Sequence, residues 1–190
     1  NIDYAFLVQA VGHDFNLKRL ERYLAICHSA KIKPYIILTK TDLIESTEIS
    51  RLTQNISERI KDVEVIPLSN QSKSGFDRLN SLMKPFKTYC FLGSSGVGKS
   101  TIINHLNQHE VLKTKAVSDS TNKGRHTTSH RELFILPNKS IVVDTPGMRE
   151  IGLTNQSQVE STYNAISELT QLCKFNDCSH TNEVECAVLN

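Results

Sequence analysis

Eight residues, Gly93-Ser94-Ser95-Gly96-Val97-Gly98-Lys99-Ser100, have the types and spacing needed to hold a triphosphate. Gly93 and Gly98 permit a turn whose backbone amides point inward, Lys99 supplies a point charge for the β and γ oxygens, and Ser100 offers a hydroxyl to Mg²⁺. From Thr101 the chain continues as a helix, whose first-turn amides and dipole also favour an anion.

Well before this loop, Thr39-Lys40-Thr41-Asp42 carries the chemistry that would choose the base. The Asp42 carboxylate could accept hydrogen bonds from the N1 and N2 protons of guanine; adenine would leave it unpaired. Lys40 could lay its alkyl stem along the base plane. A third base contact is expected at Ser69-Asn70, a signature too short to stand alone. After the loop comes Asp144-Thr145-Pro146-Gly147. Asp144 would hold Mg²⁺ through water, and the Gly147 amide would face the γ-phosphate. Between the two lies Lys123-Gly124-Arg125-His126-Thr127-Thr128, where a threonine, Thr128 in preference to Thr127, could close on Mg²⁺ while the γ-phosphate is present. The same stretch also reads as a plain basic surface loop.

These groups need strands to carry them. Ala5–Val11, Lys33–Leu38, Val63–Pro67, Thr88–Leu92, Arg131–Leu136 and Ser140–Val143 are short apolar, β-prone runs, several reading as strands buried on both faces. Helices are expected over Leu17 to Ser29, Ser46 to Lys61, within Gly75 to Pro85, over Thr101 to Asn107, and over Val159 to Leu172. Such alternation means an α/β fold with a mostly parallel sheet covered on both faces, and it places the motifs at the carboxyl ends of strands. A base-selecting turn ahead of the phosphate loop reverses the order of an ordinary small GTPase. The fold class is therefore a P-loop GTPase domain with circularly permuted motif order. An ATP-using P-loop enzyme is the rival reading, and Asp42 speaks against it.

Cys173, Cys178, His180 and Cys186 form a C-x4-C-x-H-x5-C pattern, three sulfurs and an imidazole suited to a tetrahedral Zn²⁺. The spacing departs from common zinc-finger templates. Cys27 and Cys90 fall within an expected helix and strand and read as packed thiols. With 190 residues, 38% of them hydrophobic, the chain can bury one α/β core plus a small appended module. We expect a division at 1–152 for the GTPase domain and 153–190 for the start of a helical zinc-binding module. No secretory signal or apolar span is visible, and reduced thiols suit a cytoplasmic protein without membrane attachment. Net charge is only +2, so a nucleic-acid partner is not announced by the whole chain. Locally, Lys113, Lys115, Lys123, Arg125 and Arg131 make a basic patch that could face RNA phosphates or simply be solvated.

Taken together, the permuted order, the Gly-Arg-His-Thr-Thr segment, the cysteine-histidine cluster and the segment Asp14 to Leu24 resemble the ribosome small-subunit-dependent GTPase A family (RsgA, also called YjeQ). The resemblance covers essentially the whole chain. It implies GTP hydrolysis coupled to late maturation of the 30S subunit, with the subunit and its rRNA as partners, Mg²⁺ with GTP or GDP, and one Zn²⁺ per chain. We expect a monomer. It also implies an oligonucleotide-binding barrel ahead of the GTPase domain, of which this sequence holds no sign, and a first residue other than Met suggests a piece of a longer protein. Met148 stands where Ras-like enzymes place a water-orienting glutamine, so the resemblance points to His126 as the residue handling the attacking water. One departure is Thr39: the family usually has Asn there, bonding guanine N7 and bracing the phosphate loop. A zinc-stabilised RNA-binding module, using nucleotide only as a structural ligand, remains the second alternative.

Overall fold

The computed structural model describes residues 1–13, 15–109, 112, 132–144, 169–175, 178–181 and 185–189, with the side chains of 132 and 144 left aside. Among these residues six strands and four α-helices follow in the order β1 (Tyr4–Ala10), α1 (Leu17–Ser29), β2 (Lys33–Thr39), α2 (Ser46–Arg59), β3 (Val65–Pro67), α3 (Phe76–Leu82), β4 (Thr88–Leu92), α4 (Lys99–Asn107), β5 (Glu132–Ile135) and β6 (Ile141–Asp144).

Strand side chains alternate between two apolar layers, which is why the strand sequences are almost continuously hydrophobic. Phe6, Val8, Tyr35, Ile37, Tyr89, Phe91 and Val142 pack under α3 and α4 with Phe76, Leu79, Ile102 and Ile103. On the opposite face Ala5, Leu7, Ile36, Leu38, Cys90 and Leu92 meet Leu20, Tyr23, Leu24 and Cys27 of α1 and Ile56 of α2. Cys27 and Cys90 are the packed thiols the sequence suggests: both are free and buried. Burial, with Cys90 as a further influence, pushes the Cys27 thiol up to about 12, and burial pushes Cys90 up to about 11.

The sheet runs β3-β2-β1-β4-β6-β5. Every described pairing is parallel except β5 with β6. Chain order and spatial order part company twice: the chain leaves β3 at one edge and re-enters at β4 in the middle, and after β4 it takes up the far edge as β5 before β6 fills the place between them. The crevice beyond the carboxyl ends of β1 and β4 lies where the strand order changes direction, the position at which open α/β sheets take ligands.

Element ends differ from the sequence reading by a residue or two, as helix ends commonly do. The second helix was expected to reach Lys61; it stops at Arg59 because Ile60 takes extended backbone angles and buries its side chain. The third strand begins at Val65 rather than Val63. Val63 packs instead at the margin of the α2 layer. The helix expected from Val159 to Leu172 falls almost wholly outside the described residues. Among those residues, no helix is long and apolar enough to cross a membrane.

Candidate functional site

The phosphate loop leaves β4 and enters α4 at Lys99. Two of its glycines are required by their surroundings. A Cβ on Gly93 would stand 2.3 Å from the Val8 carbonyl oxygen. Gly98 has φ +98°, and a Cβ there would meet the Asn70 amide nitrogen at 2.6 Å. Lys99 is buried, and its ammonium donates to the carbonyls of Gly93 and Ser94, both at 2.8 Å. The lysine thus folds back over its own loop, its charge held by two of that loop's carbonyls. Ser95, Ser100 and Thr101 are half-buried, whereas Gly96 is exposed and Val97 lies in the core.

Thr39 ends β2, opposite Ala10 of β1. Fully buried, its hydroxyl donates to the Val97 carbonyl at 2.6 Å and lies 3.2 Å from the Gln9 carbonyl. The bracing that the family resemblance implies for an asparagine is thus supplied here by a threonine hydroxyl. Lys40 then turns the chain with left-handed angles, φ 60° and ψ 32°, into a single 3-10 turn, Thr41–Leu43. Thr41 is buried and Asp42 exposed, so the carboxylate faces outward from a fixed base.

The Ser69-Asn70 pair follows β3 and meets both motifs. The Ser69 hydroxyl donates to an Asp42 carboxylate oxygen at 2.5 Å, while its oxygen accepts from the amides of Gln71 and Ser72 at 3.1 Å each. One oxygen of Asp42 is therefore oriented by a serine that is itself pinned by two backbone amides. Asn70 donates to the Gly98 carbonyl at 3.5 Å, and its side-chain oxygen is buried without a hydrogen-bond partner among the described residues. A buried amide oxygen in that state wants a donor, such as a base or sugar group could bring. The structure thus gathers Thr39, Lys40, Thr41, Asp42, Ser69, Asn70 and the whole phosphate loop at one end of the sheet.

Asp144 closes β6 beside Phe91 of β4, so its backbone stands next to the strand that feeds the phosphate loop. His126, Thr128, Gly147, Met148 and the basic patch lie outside the described residues.

The second cluster brings together Cys173, Cys178, His180 and Cys186, whose ligand atoms all lie within 4.8 Å of one another. The separations are 3.6 Å for Cys173 Sγ to His180 Nδ1, 3.4 Å for His180 Nδ1 to Cys186 Sγ, and 3.9 Å for Cys173 Sγ to Cys186 Sγ. Zinc bonds of ordinary length put the corners of a tetrahedron roughly 3.5 to 3.8 Å apart, so the donor set fits such an ion.

Some structural participants carry no motif. Gln9, 1% exposed inside the apolar strand Tyr4–Ala10, bonds the backbone of Asn16 in both directions, at 2.8 and 2.7 Å. A lone polar side chain in a buried strand was the available signal. Arg19 gives no such sign, yet its guanidinium donates to the Ser94 hydroxyl at 2.9 Å.

A model of the RsgA GTPase family matches residues 1–154. The small ribosomal subunit biogenesis GTPase RsgA 1 of Listeria monocytogenes is 47% identical over 189 residues, 99% of this chain and 54% of its own length. The corresponding RsgA of Methanosarcina acetivorans is 46% identical over all of this chain and 51% of its own length. The chain therefore spans about half the length of the curated relatives it matches. Among solved structures, YloQ, described as a circularly permuted GTPase, aligns with TM-score 0.64 and 30% identity over 100% of this chain and 60% of its own. YjeQ from Thermotoga maritima aligns with TM-score 0.69 at 23% identity, a likeness of fold, over 100% of this chain and 63% of that one.

Proposed function

This chain belongs to the RsgA GTPase family, and from that premise we propose that it binds GTP and hydrolyses it to GDP and phosphate in the service of small ribosomal subunit maturation. Residues 1–152 form the permuted GTPase unit, and 153–190 begin a zinc-binding module. The factor works in the cytoplasm, as a monomer, against the subunit and its rRNA.

One observation carries the reading: base-selecting turn and phosphate loop are tied directly, Thr39 to Val97 and Asn70 to Gly98, while Ser69 aims Asp42. The two motifs can therefore meet the two ends of one nucleotide. Asp42 accepts from N1 and N2 of guanine, Lys40 flanks the base, and the amides from Ser94 to Thr101, with Lys99, cradle the phosphates. Gly147 offers its amide to the γ-phosphate. Ser100, Thr128 and Asp144 would hold Mg²⁺, which neutralises charge on the transferred phosphoryl group. Hydrolysis balances as water attacking the γ-phosphorus, the bridging bond breaking toward GDP, and a proton leaving the water. We assign His126 to orient that water, Met148 being unable to do so. Cys173, Cys178, His180 and Cys186 would hold one Zn²⁺, which cross-links the short segments that carry them.

Titrations with GDP, a GTP analogue and ADP test the base choice. Guanine forms should bind about a hundredfold or more tighter; equal affinities overturn it. Turnover measured with and without small ribosomal subunits tests the rest. Stimulation is expected; if subunits change nothing, the zinc-stabilised RNA-binding alternative gains. His126→Ala should abolish the stimulated rate and leave GTP affinity nearly intact, and surviving stimulation removes His126 from its role.

A further inference from the structure

Followed outward from Val97, the hydrogen bonds of this site return to the loop they left. Thr39 links Val97 to Gln9 through its hydroxyl, and the Gln9 side chain holds the backbone of Asn16. Asn16 is the N-cap of α1, its side-chain oxygen accepting the Arg19 amide at 3.0 Å. Arg19, in the first turn of that helix, closes the circuit on the Ser94 hydroxyl at 2.9 Å. Ser94 is 8% exposed, Gln9 1% and Thr39 0%, so the Thr39 part of the path runs out of water, where a hydrogen bond is costly to lose, while Asn16 is exposed and Arg19 half-buried.

The Arg19 end has further support. Tyr23 lies one turn along α1, on the same helix face, with the Ser94 side chain near its hydroxyl. Tyr23 is 2% exposed. Two residues of one helix therefore converge on a single side chain of the phosphate loop. The carbonyl of that same Ser94 accepts the Lys99 ammonium. Ser94 is thus held at its hydroxyl by Arg19 and at its carbonyl by Lys99.

Resting on the nucleotide reading above, we propose that Arg19 is a positioning residue for the phosphate loop: through Ser94 it holds the loop in its anion-binding shape before nucleotide arrives. The physical reason is preorganisation. A loop whose amides all point inward repels itself when empty, and ordering it at the moment of binding would subtract from affinity. Arg19 is not in contact with phosphate in this scheme. Its contribution is equal in the ground state and the transition state, so it belongs in KM rather than in kcat. The arrangement also makes α1 a support of the phosphate loop, although the helix lies outside every nucleotide motif.

The test is a set of substitutions read by nucleotide affinity and steady-state turnover on the purified protein. Arg19→Ala should raise KM for GTP and the dissociation constant for GDP by about tenfold with kcat within about twofold. Arg19→Lys, which keeps a donor, should recover much of the loss. In a Ser94→Ala background the Arg19→Ala change should add less than about twofold, since the partner is already gone. Lys18→Ala, which removes an equal charge from an exposed position on the same turn, should change nothing. The proposal is overturned if Arg19→Ala leaves affinity unaltered, if its effect multiplies with that of Ser94→Ala, or if Lys18→Ala mimics it. Wild-type protein that takes no guanine nucleotide would instead sink the nucleotide reading itself.

Discussion

Thr39 carries two duties on one hydroxyl: it closes the carboxyl end of β2 and it fixes the carbonyl of Val97. Thr39→Val keeps the shape and removes the donor, leaving the Val97 carbonyl without the hydroxyl at 2.6 Å, at about 1 to 3 kcal/mol. Affinity for GDP should fall about tenfold, while Thr39→Ser should retain it, both measurable by fluorescence titration. Asp42 makes a sharper prediction. An amide in its place would offer a donor where guanine presents its own N2 donor, so Asp42→Asn should weaken GDP binding by about two orders of magnitude. The same change should favour xanthine, whose C2 oxygen accepts. Parallel titrations with GDP and xanthosine diphosphate decide it, and unchanged preference for guanine would remove Asp42 from base selection.

At the scale of elements, α1 and α2 share the face of the sheet away from α3 and α4, and one ion pair joins them. Arg59 Nε stands 2.6 Å from Glu21 Oε1, the Glu21 side chain only 8% exposed and that of Arg59 56%. Removing the arginine takes the charged partner at 2.6 Å from a largely buried carboxylate, and solvent at the Arg59 end softens the penalty. Arg59→Ala should therefore cost about 1 to 2 kcal/mol, a fall in Tm of about 4 °C by thermal unfolding. Glu21 sits among the apolar positions of the helix Leu17–Ser29, where the pattern alone reads it as an interruption. The elements themselves were largely legible, because each strand and helix announces itself in the period of its apolar residues. Their ends were less so: Ile60 leaves its helix to reach the core, and that choice belongs to packing rather than to local propensity.

For the whole molecule, the two kinds of cysteine should behave as separate populations. Cys27 and Cys90 lie inside the core with thiols pushed up to about 12 and about 11, so at pH 8 both remain protonated. Their thiolate fraction grows only as pH climbs toward those values, beyond the range of ordinary labelling. Alkylation of native protein at pH 8, mapped by mass spectrometry, should spare both. Stripping metal with a strong chelator should expose Cys173, Cys178 and Cys186 to the reagent and leave the core pair silent. Because all four candidate ligands fall between residues 173 and 186, chelation should also leave the sheet's circular dichroism and the affinity for GDP within about twofold of their starting values. Loss of nucleotide binding on chelation would mean that the cluster supports the main core after all.

Read along the chain, the residue types alone determined the phosphate loop, the carboxylate suited to guanine, the permuted order of the two and the four candidate metal ligands, because each depends on chemistry carried within a few neighbouring positions. The tertiary structure decided the rest. It brought Thr39 against Val97, Ser69 against Asp42 and Arg19 against Ser94, partners separated by 58, 27 and 75 positions. It also settled which strand lies at the centre of the sheet and which at its edge. Such contacts leave no trace in local periodicity: they arise only when two layers of helices close on a common sheet and every buried polar group must find a partner wherever the fold has placed one.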